Sequence, residues 1–225
     1  MNTRQDKATP RGPQALDTAS EPWRMRMDDW NRRYANDDFI WSEHPNRSLE
    51  QHVRSLSAGR ALDLAAGECR NAVWLAGQGW SVEAVDFARL ALEKGRRLAQ
   101  SRQVAERIRL VTADLNHYRP AERAFDLVTL VYLQLPWPEL APILLRAAGA
   151  VAPGGTLLLI AHHTHNLTHG HGGPRHAEVL YTAEQVATLL APELRIERAE
   201  RLQRPVHTAD GTRYAIDCLV RATRG

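Results

Sequence analysis

The chain alternates between short apolar runs and longer stretches in which apolar residues recur at helical spacing. Runs rich in β-branched and other apolar residues predict five strands, over residues 61–65, 82–85, 108–111, 125–131 and 156–161. Helical spacing between them predicts helices over residues 71–78, 90–100 and 138–151. Strands that alternate with helices form βαβ units, whose right-handed crossovers place helices on both faces of a parallel sheet.

The last part of the chain breaks this alternation. A predicted helix over residues 183–190 is followed by two strand-like stretches, 194–206 and 213–222, with Asp210-Gly211 between them. An Asp-Gly pair is a strong hairpin signal, and two strands without a crossover helix pair antiparallel. We therefore predict an α/β, Rossmann-like, seven-stranded sheet: five parallel strands plus a C-terminal antiparallel hairpin, with helices on both faces. This is not the plan of a dinucleotide dehydrogenase.

The N-terminal region differs in texture from the rest. Residues 1–22 are polar, contain prolines and glycine, and have no periodicity, which predicts a disordered tail. Aromatic residues interleaved with charges between positions 23 and 41 predict a short helix followed by an aromatic loop. Residues 23–225 are predicted to form a single domain, because no later linker or internal repeat interrupts them.

Composition narrows the functional class. Of 225 residues, 44% are hydrophobic and 24% are charged, which excludes a wholly disordered chain. The net charge of +3 is spread without a basic run, which argues against a dedicated nucleic-acid binder, and no apolar stretch is long enough to span a membrane. Cys69 and Cys218 cannot build a disulfide framework and suit a reducing compartment, so a cytoplasmic location is expected.

Acidic residues follow three successive predicted strands. Asp63, Asp86 and Asp114 lie at or near those strand ends, where open α/β sheets bind ligands. Asp86 is placed to accept hydrogen bonds from a ribose diol, and Asp114 to face the exocyclic amine of a base, with Leu115 and Phe87 offering apolar contact. A second interpretation stays open, in which Asp63 and Asp114 only cap turns.

The loop after the first predicted strand lacks most of the glycines that cradle a pyrophosphate. It has Ala65, Gly67 and Cys69 in place of a full glycine motif, and Glu68 is expected to repel a pyrophosphate. Gly67 would let the backbone approach a ligand closely. The loop therefore favours a nucleoside that carries an ammonium or sulfonium group over a dinucleotide.

Several motifs together resemble those of class I S-adenosylmethionine-dependent methyltransferases. The resembling stretches are ALDLAAGECRNA at 61–72, VDFA at 85–88, ADL at 113–115, FDLV at 125–128 and APGGTL at 152–157. The Gly-Glu-x-Arg-Asn-Ala form of the first motif, and the segment from Trp41 to Arg47, are most similar to the small tellurite-resistance and thiopurine S-methyltransferase-like group.

The resemblance implies a Rossmann-like methyltransferase fold with S-adenosylmethionine as cofactor. Asp63 and Gly67 would line its methionine end, Asp86 would hold the ribose, and Asp114 and Leu115 the adenine. The other implied cofactor-binding residues are Trp41 and Arg47, which would close over the cofactor, and Ala65, Arg70, Asn71, Phe87 and Val131.

Two positions depart from the family pattern. Ala65 and Cys69 stand where glycines are usual, and each would cost about 1–2 kcal/mol if its backbone were left-handed. The Cys69 side chain is then expected to crowd the loop near the methionine moiety.

Candidate acceptor chemistry lies further along the chain. Six histidines fall between 162 and 176, and His162 or His163 could assist proton removal from a substrate-facing lid. A solvated loop and a transition-metal site are the alternatives, and we predict no metal. Tyr132, with Gln134, follows the fourth predicted strand and could orient an acceptor, or it could be a packed aromatic.

The predicted function is methyl transfer from S-adenosylmethionine to a small molecule by direct in-line attack, with a thiol or chalcogen compound as the first candidate acceptor. An O- or N-methyltransferase of a secondary metabolite, a nucleic-acid methyltransferase and a non-catalytic cofactor binder remain alternatives. We expect a monomer or homodimer, with neither nucleic acid nor membrane as a partner.

Overall fold

A computed structural model describes residues 27–36 and 38–225, so the tail predicted over residues 1–22 lies outside the described residues. The helices are α1 (Met27–Arg33), α2 (Arg47–Val53), α3 (Arg70–Gly77), α4 (Arg89–Ser101), α5 (Trp137–Ala150), α6 (Asn166–His169) and α7 (Ala183–Leu190). The strands are β1 (Arg60–Leu64), β2 (Ser81–Asp86), β3 (Ile108–Thr112), β4 (Phe125–Val131), β5 (Val151–His162), β6 (Arg195–Thr208) and β7 (Gly211–Thr223). Every predicted strand and helix is present.

The seven strands form one sheet in the order β3-β2-β1-β4-β5-β7-β6. The first five strands pair in parallel, and β7 lies antiparallel between β5 and β6. The predicted seven-stranded α/β fold is therefore confirmed. Because β7 occupies the place beside β5, β6 forms the sheet edge and runs in the same direction as the five parallel strands.

Alternating side chains of the strands divide the core between the two faces of the sheet. Leu62 and Leu64 of β1 pack into a cluster with α5 and α7, whereas Ala61 joins a cluster with α2, α3 and α4. The sequence pattern did not predict α2, whose seven residues are too few to establish a period. Its first turn is capped by the Asn46 side chain, and it buries Leu49 and Val53.

The strand order reverses between β1 and β4, because the chain builds outward from β1 to β3 and then returns to β4 on the other side. In open α/β sheets the crevice at such a reversal, at the carboxyl ends of the strands, is the usual ligand position. Among the described residues, no helix is long and apolar enough to cross a membrane.

Candidate cofactor and acceptor site

The loop from β1 to α3 has a left-handed backbone at alternate positions. Ala65, Gly67 and Cys69 have φ angles of 59°, 53° and 60°. Only glycine adopts this conformation without a steric penalty. Ala65 and Cys69 are left-handed here, so each adds about 1–2 kcal/mol of backbone strain, as the sequence analysis expected for this case. A turn bond from the Cys69 N–H to the Ala66 carbonyl, at 2.9 Å, closes the loop before α3.

The Cys69 side chain turns into the core, although its thiol still lies 3.6 Å from the Gly67 carbonyl of the loop, so crowding near the methionine moiety stays a prediction. The thiol is fully buried and faces α4, where a Cβ added to Gly95 would come within 2.5 Å of Sγ. Burial raises the pKa of the thiol well above its usual value, and the charges of Asp63, Asp86 and Glu68 raise it further. Cys69 is therefore a packing residue that stays protonated.

Asp86, the last residue of β2, ties the loop to the sheet. Its Oδ2 accepts the Gly67 N–H at 2.8 Å, and its Oδ1 accepts the Ala88 N–H at 2.8 Å. Burial raises the carboxyl pKa, and these backbone hydrogen bonds oppose the rise. Each oxygen retains acceptor capacity for a ligand hydroxyl, since a carboxylate oxygen has two lone pairs.

Asp63 places a buried carboxyl beneath the same loop. The Thr129 hydroxyl donates to its Oδ1 at 2.8 Å, while Oδ2 receives no well-aligned hydrogen bond from the described residues. Burial raises the carboxyl pKa to about 7, the Asp86 charge raises it too, and Thr129, Arg70 and the Ala72 N–H lower it. A buried oxygen without a good donor is suited to a cationic group, so Asp63 fits the ammonium and sulfonium end of S-adenosylmethionine.

Glu68 does not face this ligand position, and the expectation that it would repel a pyrophosphate there is wrong. Its two carboxylate oxygens accept the backbone N–H groups of Ile40 and Trp41, at 3.0 and 3.1 Å. Lys94 of α4 donates to the same carboxylate at 3.0 Å and to the Asp38 carbonyl at 2.6 Å. This buried ion pair attaches the N-terminal segment to the domain.

The attached segment covers the carboxyl ends of β1 and β2. The Tyr34 hydroxyl lies against Gly67, within 3.2 Å of where a Cβ would stand. Burial and the charge of Asp86 raise the Tyr34 pKa, and a hydrogen bond from the Trp41 side chain opposes them. The Trp41 side chain thus lies beside Tyr34, whereas Arg47 is exposed on the first turn of α2. That these two residues close over the cofactor stays a prediction.

Asn71 and the predicted adenine residues have clear structural roles. The Asn71 side chain accepts the Asn46 N–H at 2.9 Å, which holds the start of α2. Asp114 caps its own turn by accepting the Asn116 N–H at 2.8 Å, yet its side chain is 54% exposed and can still accept from a ligand. Leu115 is buried in the core. Phe87 is half-buried after β2, and Val131 is buried at the end of β4.

A second polar cluster lies at the carboxyl ends of β4 and β5. Tyr132 donates its phenol proton to Asp217 Oδ2 at 2.8 Å, and Arg204 Nε donates to the same oxygen at 2.7 Å. The β5–β7 register places His162 opposite Asp217, with Nδ1 3.2 Å from Oδ1. The rings of Tyr132 and His162 pack with their centroids 4.8 Å apart.

Asp217 organises this cluster because it is a nearly fully buried carboxylate with three polar neighbours. Burial raises its pKa, but the His162 side chain and the Arg204 charge outweigh burial, so the net pKa is lowered. Burial and the charge of Asp217 raise the pKa of Tyr132, which therefore stays a neutral donor. His162 Nδ1 and Asp217 Oδ1 face each other at 3.2 Å without a well-aligned hydrogen bond. The Nε2 edge of the ring lies against Gly173, where an added Cβ would stand 2.9 Å from Nε2, so the missing side chain of this glycine leaves the room next to Nε2.

His163 lies apart from this cluster. Its Nδ1 accepts the His165 N–H at 3.0 Å, its ring stacks on His165, and burial lowers its pKa. Successive residues of a strand point to opposite faces, so only His162 joins Asp217. Gln134 holds the His162 backbone N–H at 2.8 Å. Among the described residues, no three His, Cys, Asp or Glu side chains are grouped to hold a metal ion.

The sequence analysis missed Tyr34, Lys94, Arg204 and Asp217. Asp217 had a signal, since it is a lone acid in an otherwise apolar stretch of β7. Tyr34 belongs to the aromatic segment that the sequence singled out without assigning roles. Lys94 and Arg204 each lie among other charged residues of a helix or strand, so the local sequence gives no signal for them. Only their partners, which are distant in sequence, distinguish them.

Comparison with known proteins agrees with this geometry. Residues 61–155 match a family model described as a methyltransferase domain. The solved structure of the N-methyltransferase NodS from Bradyrhizobium japonicum WM9, in complex with S-adenosyl-L-homocysteine, superposes with a TM-score of 0.67 at 19% identity, over 88% of this chain and 97% of that one. TehB from Haemophilus influenzae superposes with a TM-score of 0.66 at 14% identity, over 88% and 67% of the two chains.

A third solved structure, described by the conversion of a disulfide bond into a thioacetal group during echinomycin biosynthesis, gives a TM-score of 0.65 at 17% identity, over 80% and 82% of the chains. No curated protein sequence matches the chain. The matched model describes a methyltransferase domain, and the superpositions show that the chain has the fold of solved methyltransferases. The chain is thus an enzyme, and its cofactor is S-adenosylmethionine.

Proposed function

We propose that this methyltransferase modifies a small molecule whose accepting atom, a thiol or related chalcogen first, sits beside His162 at the carboxyl ends of β4 and β5. The observation that carries the proposal is the group formed by Tyr132, His162 and Asp217. A buried carboxylate that orients a histidine is a common arrangement for proton removal. An acceptor that must lose a proton, such as a thiol, would transfer that proton to the histidine of this arrangement.

On the cofactor side, we assign Asp63 to the cationic methionine end, because its Oδ2 lacks a well-aligned donor among the described residues. Asp86 would hold the ribose hydroxyls, and Asp114 with Leu115 the adenine. Trp41 and the newly found Tyr34 would cover the cofactor. The remaining proposed contacts are Arg47, Ala65, Gly67, Arg70, Asn71, Phe87 and Val131.

S-adenosylmethionine supplies an already activated methyl group on its sulfonium, so the chain's own contribution is positioning, exclusion of water and handling of one proton. The N-terminal segment, attached by Glu68 and Lys94, would exclude water. His162 would accept the proton at Nε2 while Asp217 stabilises the resulting imidazolium. Tyr132 would fix the position of the Asp217 carboxylate, since its own proton is already donated there.

We also propose that the chain belongs to the tellurite-resistance and thiopurine methyltransferase-like group. The similarity to TehB, at 14% identity, supports a common fold and does not establish a common substrate. We further propose that residues 23–225 form one domain and that the protein acts in the cytoplasm as a monomer or homodimer.

A screen of thiols, selenols, phenols and amines with labelled cofactor tests the acceptor. We expect methylated thiol, and a loss of about 10²- to 10⁴-fold in kcat for His162→Gln, the usual worth of a general base. The matched control is His171→Gln, at an exposed position of the same histidine-rich segment. The His162 effect should shrink for acidic thiols that are already ionised.

Other outcomes would contradict the proposal. Turnover of amines alone would favour N-methylation, and salt-sensitive methylation of RNA or DNA would favour a nucleic-acid substrate. Tight cofactor binding without methyl transfer to any acceptor would indicate a non-catalytic binder.

A further inference from the structure

The guanidinium of Arg204 has one carboxylate partner and one phenol neighbour among the described residues. Its Nε is committed to Asp217 at 2.7 Å, and the side chain is 29% exposed. In the described part of the chain, its guanidinium meets no carboxylate other than Asp217. Its other neighbour is the neutral phenol of Tyr132, whose ring centre lies 5.5 Å from Cζ. The two Nη groups therefore form a fork beside the acceptor cluster without a negative charge of their own.

Arg70 brings a second guanidinium to the same place. It begins α3 and is largely buried, and no ion pair joins it to any described residue. Burial lowers its pKa, and the positive charge of Arg204 lowers it too, whereas Tyr132 and the negative charge of Glu68 raise it. Arg204 thus lies over the Tyr132 ring, and Arg70 adds a second positive charge within electrostatic range of it.

The carboxylates near Arg70 and Arg204 are already engaged or only partly ionised. Asp217 already serves Arg204, Tyr132 and His162. Asp63 lies within electrostatic range of Arg70, but its carboxyl has a pKa of about 7 and is only partly ionised at neutral pH. Glu68 also acts on Arg70, but its carboxylate is paired with Lys94. The Nη groups of Arg204 thus remain without a carboxylate partner among the described residues, and a bound anion would supply one.

We propose that the methyl acceptor carries an anionic group, a carboxylate or similar oxyanion separate from the methylated atom, and that the Arg204 fork binds this group with Arg70 nearby. Arginine suits this task because its planar fork matches a carboxylate with two parallel hydrogen bonds. Asp217 pre-orients the fork through Nε, which reduces the entropy lost on binding. The inference rests on the proposed function, since it takes this cluster as the acceptor side.

A matched pair of probes tests the charge requirement on the unmodified protein. Calorimetry measures the binding of 4-mercaptobenzoate and of 4-mercaptobenzamide to the full-length chain loaded with S-adenosylhomocysteine. The two thiols have nearly the same shape and differ in charge. We expect the benzoate to bind about 10- to 100-fold more tightly, the range typical of a charge-assisted bidentate contact.

Variants of Arg204 assign the preference to its fork. Arg204→Lys keeps a positive charge near Asp217 but lacks the fork, and should lose most of the preference for the benzoate. For an acceptor that turns over, it should raise KM by about tenfold and lower kcat by a smaller factor, because the loss falls mainly on ground-state binding. Arg198→Gln is the control, because it removes an exposed arginine of the same strand, paired with Glu200.

Equal binding of the two thiols, or binding of neither, to the loaded wild-type protein would overturn the inference. A preference that survives in Arg204→Lys would overturn the assignment to Arg204. Arg204→Gln serves as an additional variant where it folds; the wild-type comparison and Arg204→Lys decide the matter without it. Failure to bind S-adenosylhomocysteine at all would instead overturn the proposed function.

Discussion

The side chains at positions 69 and 95 share one buried space, so the size tolerated at one position depends on the residue at the other. The Cys69 side chain is fully buried on a left-handed residue, and it fills the space in front of Gly95 on α4. A Cβ added at Gly95 would lie 2.5 Å from Sγ and 2.6 Å from the Cys69 Cβ. Such contacts cannot be accommodated without a shift of the loop or the helix.

The single substitutions should both be unfavourable or neutral. Cys69→Gly relieves a left-handed strain of about 1–2 kcal/mol but loses buried Cβ and Sγ, which costs about 1–2 kcal/mol, so the net change is near zero. Gly95→Ala gains about 1 kcal/mol of helix propensity and loses about 1–3 kcal/mol or more to overpacking. Its overlap falls on the strained loop that the proposed cofactor site requires.

The double variant Cys69→Gly/Gly95→Ala should recover this loss, because the alanine methyl then occupies the vacated space. Its closest remaining neighbour would be the Glu68 carbonyl at 3.2 Å, which requires a shift of a few tenths of an ångström. We expect the double variant to be more stable than Gly95→Ala by about 2 kcal/mol, a coupling typical of residues in contact.

Urea unfolding of the four proteins measures the cycle. Cys69→Ala/Gly95→Ala is the matched control, since alanine at position 69 keeps the Cβ that lies 2.6 Å from the new methyl and should not rescue. Additivity within about 0.5 kcal/mol would refute the packing argument. The same variants test the thiol: a loss of a hundredfold or more in kcat for both Cys69→Gly and Cys69→Ala, with cofactor affinity intact, would mean that it takes part in the chemistry.

The buried carboxylates lead to three further predictions. Asp86→Ala should weaken S-adenosylhomocysteine binding by about 1.5–3 kcal/mol, and calorimetry with unchanged affinity would refute the ribose assignment. Asp63 has a folded pKa of about 7, above its unfolded value of about 3.9, so its carboxyl contributes most favourably below pH 4, and stability falls by up to about 4 kcal/mol as pH rises to 7. Asp63→Asn should remove this part of the pH dependence of urea unfolding, and it should abolish proton release on cofactor binding near pH 7, which Asp114→Asn should not. Glu68→Gln should destabilise the fold by about 3–5 kcal/mol by leaving Lys94 buried without its charge partner, and Glu68→Gln/Lys94→Met should recover part of this loss in thermal unfolding.

Much of the cofactor side was predictable because its signals are local. The acids at strand ends follow directly from strand boundaries, and the loop from Ala65 to Cys69 lies within one motif. Even there, the direction of each side chain was not encoded locally. Glu68 and Cys69 were expected near the ligand, yet they turn toward the N-terminal segment and α4. Their partners are brought close only by packing.

The polar cluster of Tyr132, His162, Arg204 and Asp217 could not be predicted without the tertiary structure, and here the reason is stronger. Tyr132 and Asp217 are 85 positions apart and meet because β7 inserts beside β5 in a register that pairs His162 with Asp217. Hydrophobic periodicity and the Asp210-Gly211 turn by themselves determined the strands, the longer helices and the hairpin, since these depend on neighbours a few residues away, whereas the short helices α2 and α6 were not predicted. Which strand lies beside β5, which face each polar side chain takes, and which charges are left unbalanced were decided only when the strands paired and water was excluded.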